Sequence, residues 1–103
     1  MEETKFAKYR EIRDNIIRPA LKELKKEYES QGYHCHIHTQ ETQGAISFSR
    51  GLSNYDEDPV SIFLSDGGWV IFSKLTALYS SRLKLDEITP DRVKGKIREA
   101  LDE

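Results

Sequence analysis

Apolar residues fall at Phe6, Tyr9, Ile12, Ile16, Ile17, Ala20, Leu21, Leu24 and Tyr28. Steps of three and four trace one face of a helix, while Arg10, Asp14, Arg18, Lys22, Lys25 and Glu29 mark the solvated side. Gly32 suits the left-handed position that ends a helix. The pattern predicts a helix from about residue 3 to 31, roughly 40 Å long at 1.5 Å per residue. Pro19 interrupts it, having no N–H for the carbonyl of Asn15 and a ring that crowds that turn. The stripe keeps its phase across the proline, which favours one kinked helix over two separate ones.

From Tyr33 the period becomes two. Tyr33, Cys35, Ile37 and Thr39 point one way and His34, His36, His38 and Gln40 the other, which predicts a half-buried first strand. A turn at Gln43-Gly44 leads to a second strand over residues 45–49, with Ile46 and Phe48 as its core positions. Residues 51–58 read as a polar loop, and Pro59 suits a strand start. The third strand spans 60–65 and the fourth 69–75. Between them Asp66-Gly67-Gly68 is a strong hairpin signal. Leu83 and Leu85 alternate with Arg82 and Lys84, suggesting a short fifth strand near the end of residues 76–85.

A second helix is announced by Thr89 as N-cap, Pro90 in the first helical position and Asp91 in the first turn. Ile88 and Val93 hold the two positions of a hydrophobic staple. Val93, Ile97, Ala100 and Leu101 form its buried stripe. Gly95 inside it marks either a close approach to the sheet or a solvated position. The order is helix, four or five strands, helix, and short connections favour an antiparallel meander. Both helices on one face of the sheet give a two-layer α+β sandwich. Residues 1–103 form one domain on this reading.

Composition narrows the function classes. The chain has 103 residues, 33% of them charged and 37% hydrophobic, with ten aromatic residues, enough for a compact core. The longest purely apolar run, Trp69-Val70-Ile71-Phe72, is far short of the about 20 residues a spanning helix needs. The first residues lack the basic-then-apolar pattern of a signal peptide. Cys35 stands alone, so an intrachain disulfide is excluded, and a cytoplasmic location is expected. Net charge is −2, which argues against strong general affinity for nucleic acid. Residues 31–73 are acidic on balance, whereas residues 74–98 hold seven basic side chains against three acidic ones.

Three constellations could carry chemistry. His34, His36 and His38 share a strand face, and imidazoles at i and i+2 can share a zinc ion. A complete site would need a further ligand from the neighbouring strand, where Ser47, Ser49 and Arg50 are the nearest choices. The contrasting readings are a solvated polar face and a pH-sensitive patch. Lys94, Lys96 and Arg98 belong to the basic segment and raise a nucleic-acid hypothesis, with Trp69 and Tyr79 available for stacking. Ion pairing on a helix back face explains the same cations more simply. Cys35, in phase with Tyr33 and Ile37, reads as a small core residue. Asn54, Asp56, Glu57 and Asp58 lack the spacing of a calcium loop. Phosphate-binding glycine loops, a serine elbow and any recognisable catalytic constellation are absent, and no cofactor is expected.

The third constellation is apolar. Phe63, Val70, Phe72 and Tyr79 alternate against Ile62, Leu64, Trp69 and Ile71, so the third and fourth strands are apolar on both faces. That implies cover on both faces. A second copy of the chain or another protein would supply it, unless the first helix or residues 76–85 fold across. The sequence therefore predicts a small, non-enzymatic interaction or regulatory module that pairs with itself or another protein through Phe63, Val70, Phe72 and Tyr79. A metal-binding protein and a weak nucleic-acid binder are the alternatives, and no membrane association is expected.

Overall fold

Pro19 does not break the first helix. In the computed structural model, which describes residues 2–40, 44–52, 55–56, 59–74 and 79–102, helical geometry runs unbroken from Glu2 to Ser30. Helix α1 (Glu2–Ile12) passes into a π turn (Arg13–Ile17), and α2 (Arg18–Ser30) continues from it. The N–H of Arg18 donates to the carbonyl of Arg13, five residues back. This wider turn lies just before the proline, where the α-helical ladder would lose a donor. It also explains the buried stripe, which includes Tyr9, Arg13, Ile17 and Leu21, spaced by four. In a pure α-helix such a stripe drifts by about 40° per step, and the wider turn takes up that drift. Among the described residues, no helix is long and apolar enough to cross a membrane.

Gly32, at φ +96°, ends α2 as expected, with its N–H bonded to the carbonyl of Glu29 at 3.1 Å. The strands are β1 (Tyr33–Thr39), β2 (Ile46–Leu52), β3 (Tyr55–Asp56), β4 (Val60–Leu64), β5 (Trp69–Lys74) and β6 (Tyr79–Lys84). They form one antiparallel sheet in the order β1-β2-β4-β5-β6, with the two-residue β3 also paired to β2. The second strand is longer than its apolar residues suggest. Gly51 and Leu52 continue the ladder opposite His34 and Tyr33, and they also pair with Asp56 and Tyr55. The predicted polar loop over 51–58 is therefore partly strand. Asn54, Glu57 and Asp58 lie outside the described residues, as do Gln43 and the end of the predicted fourth strand at Leu75.

Four residues separate β4 from β5, and the Ser65–Trp69 pair closes them into a three-residue loop, Asp66–Gly68. Ser65 exchanges backbone bonds with Gly68 (3.0 Å) and Trp69 (2.8 Å), and Gly68 takes φ +81°. A side chain there would strain the left-handed backbone that closes this type of hairpin.

Helix α3 (Pro90–Asp102) starts as read, with Thr89 Oγ1 accepting from the N–H of Arg92 at 3.2 Å. Ile88 and Val93 are both buried, as a hydrophobic staple requires. A single 3-10 turn (Leu85–Glu87) connects β6 to it, and Glu87 Oε1 accepts from the N–H of Lys84 at 2.9 Å.

One cluster of buried side chains joins the helices to one sheet face. Ile17, Leu21, Leu24, Val93 and Ile97 from the helices meet Ile46, Phe48, Val60, Ile62, Val70 and Phe72 from the strands. Each such side chain, fully withdrawn from water, contributes about 1.5–3 kcal/mol. The Tyr9 hydroxyl donates to the carbonyl of Ile62 at 3.2 Å, and burial pushes its pKa up to about 12 against the lowering effect of Arg13. Arg13 itself is only 3% exposed, with Nη1 donating to the carbonyl of Gly44 at 3.3 Å and Nε to Asp14. That hydrogen bond from Arg13 is the main reason the Asp14 carboxyl is held below its ordinary pKa.

Candidate functional site

Pairing register sorts every strand residue onto one of two faces. On the face toward the helices lie Cys35, Phe48, Ile62, Val70 and Phe72, all buried. The other face, which no described helix covers, starts at the β1 edge with His34, His36 and His38. A row of serines then crosses the sheet, with His38 opposite Ser47, Ser47 opposite Ser61, Ser61 opposite Ser73 and Ser73 opposite Ser80. Nearer the β4–β5 hairpin the face turns apolar. Phe63 pairs with Ile71, Ile71 with Arg82, and Trp69 with Lys84. Phe63, Trp69 and Ile71 are each half-buried.

The geometry around Trp69 is specific. The guanidinium carbon of Arg82 lies 4.4 Å from the indole centroid and Lys84 Nζ lies 5.6 Å from it. Both cations are exposed. A guanidinium stacked on a ring keeps its N–H edge available to an outside acceptor. Beside Phe63 is a groove of about 410 Å³, with Gln40, Ala45, Ser61 and Leu64 along its walls. Leu64 also lines a larger cleft of about 660 Å³ between α1 and the hairpin, where Lys5, Phe6, Arg10 and Asp66 stand. Arg10 lies over the Phe6 ring at 5.1 Å. Among the strand residues whose side chains are described, none is Asp or Glu.

The sequence expectation for the apolar site needs correction. Phe63, Val70, Phe72 and Tyr79 do not share a face. Val70 and Phe72 are 0% exposed in the core, and Tyr79 lies on that same side, its hydroxyl donating to Glu99 at 2.9 Å. Phe63 alone of the four is on the uncovered face. Parity of the hairpin decides this. A three-residue loop puts Phe63 opposite Ile71, whereas grouping it with Val70 and Phe72 requires a shift of one residue, which flips a strand's side chains between faces. The correct companions, Ile71 and Trp69, were available from the alternation once the loop length was fixed.

The histidines alternate on one face as expected and are exposed, with Ser47, Ser49 and Gly51 opposite them. Arg50 is not a neighbour of that row. It pairs with Cys35 and lies on the covered side, 5.0 Å from the Tyr28 ring and 4.7 Å from the Tyr33 ring, with Nη2 donating to the carbonyl of Leu101 at 3.5 Å. It thereby joins α2, β1 and the last turn of α3, where cations are favoured. Among the described residues, no three His, Cys, Asp or Glu side chains are grouped to hold a metal ion.

The basic residues of α3 are engaged within the molecule. Lys94 pairs with Glu23, Arg98 with Glu27 at 3.0 Å, and Lys96 lies 4.0 Å from Glu99. The hydrogen bond from Lys94, reinforced by its charge, holds Glu23 below the ordinary carboxylate range. Two of the three cations thus join α3 to α2. Comparison with protein-family models, curated proteins and solved structures finds no match for this chain.

Proposed function

We propose that this protein is a non-enzymatic interaction module that docks a partner protein on the uncovered sheet face, centred on Phe63, Trp69 and Ile71. One observation carries the reading: three large apolar side chains stand together, half-buried, on a face without a described helix over it. Contiguous apolar surface of this kind is characteristic of interaction sites, and aromatic anchors dominate the energy of such contacts. The adjoining groove gives an incoming side chain a place to enter.

The test is a photo-crosslinking amino acid placed at Phe63 and, separately, at Lys22 on the solvated side of α2, in the cells that make the protein. A discrete protein adduct from position 63 that position 22 does not give, and that Ile71→Glu abolishes, is expected. An adduct of two copies of this chain would identify the homodimer. Identical adducts from both positions, or none from position 63, would overturn the reading.

A further inference from the structure

Resting on that docking reading, we infer that the partner presents an acidic segment in which a bulky apolar side chain is flanked by carboxylates. The hairpin end of the molecule supplies complementary chemistry. Phe63 and Ile71 form the apolar floor, and Arg82 and Lys84 stand beside it on Trp69. Around the end of β4, Lys5 and Arg10 stand at the cleft that shares Leu64 with the groove beside Phe63. Four cations therefore surround this end of the sheet, and Asp66 is the one carboxylate lining either cavity among the described residues. Charge complementarity of this sort steers encounter and selects partners.

The same charges argue against the other occupants. A second copy docked face to face about a twofold axis through this patch would set one basic patch against another, and like charges across an interface cost affinity. A nucleobase stacking on Trp69 would have to displace the Arg82 guanidinium, whereas a carboxylate can bind that guanidinium where it stands. An extended peptide also suits a groove and a cleft that share Leu64 in their walls.

The experiment titrates the isotope-labelled 103-residue chain with three probes and follows backbone amide and indole N–H resonances. The first is a short peptide of alternating Glu and Phe or Leu. The second replaces each Glu with Lys, and the third is an oligothymidylate. The acidic peptide is expected to shift Phe63, Trp69, Ile71 and Arg82, and to bind more weakly as salt rises. Arg82→Glu with Lys84→Glu should weaken it by about tenfold or more, and the milder Arg82→Gln should give a smaller loss with an unchanged free spectrum. Equal or tighter binding of the lysine peptide at these residues would overturn the acidic assignment and leave docking on this face intact. Shifts from oligothymidylate alone would overturn both readings in favour of nucleic acid. If no probe moves these resonances the acidic assignment fails, and position-63 crosslinking then judges the docking reading separately.

Discussion

The two faces of this sheet are built from the same strands and do opposite work. On the covered face, Val60, Ile62, Val70 and Phe72 are completely withdrawn from water beneath α2 and α3. On the other, Phe63, Trp69 and Ile71 sit one residue away along those strands and remain half-buried. Antiparallel sheets commonly keep one solvated face, and such a face is ordinarily polar. Here the serine row and the histidines follow that rule, and the hairpin end departs from it. The departure, more than the apolar content of the strands, marks the candidate site.

The sharpest challenge to this contrast compares two phenylalanines. Phe72→Ala should cost about 3–5 kcal/mol, the range for emptying a buried aromatic site. Phe63→Ala should cost less than about 1 kcal/mol, as expected of a partly exposed position. Urea denaturation of both variants decides it, and equal losses would mean that the open face is covered in the free protein. Next in size is Tyr9→Phe, which removes the hydroxyl linking α1 to β4 and should cost about 1 kcal/mol. Because the folded-state pKa of Tyr9 is raised to about 12 from an unfolded value of about 10, its contribution is fully present below pH 10. It is lost as pH climbs toward 12. Alkaline titration followed by tyrosinate absorbance and stability should show that limb in the native protein and a shallower one in the variant.

A smaller effect, with the opposite sign, is expected at Gly95. Beyond the backbone of its own helix and its chain neighbours, a methyl group there meets nothing within 4 Å, so Gly95→Ala should stabilise α3 by up to about 1 kcal/mol in thermal unfolding. This finding also resolves the two sequence readings of Gly95, since the helix makes no close glycine-dependent contact with the sheet. The smallest effect belongs to Glu23, which joins the two covering helices through Lys94. Its pKa is lowered in the folded state, so its contribution is present above the ordinary carboxylate range and fades as pH falls through the folded value. Glu23→Gln should therefore narrow its stability deficit toward the wild type on acidification.

Much of this architecture was legible because periodicity reports burial directly. The alternation over Tyr33–Thr39 sorted Cys35 from the histidines, and Thr89-Pro90 placed the start of α3 on cap chemistry alone. Which strand positions oppose each other was less accessible, because register depends on loop geometry that side-chain type specifies weakly. Asp66-Gly67-Gly68 announces a turn without stating whether it closes over two residues or three, and that parity decides whether Phe63 belongs to the core. Arg13 and Arg50 were hidden for a different reason. Their burial is made possible by partners distant in the chain, the carbonyl of Gly44 for one and Tyr28, Tyr33 and Leu101 for the other.

The π turn at Arg13–Ile17 works as an indexing position. It accommodates one residue more than a regular turn, so winding the same residues as plain α-helix would rotate everything before them by about 100° about the helix axis. Phe6 and Arg10 would swing away from Leu64, while α2, anchored by Leu21 and Leu24, would keep its seat on the sheet. The long helix is in this sense two levers on one shaft, one fixed to the core and one whose angular setting a single residue determines.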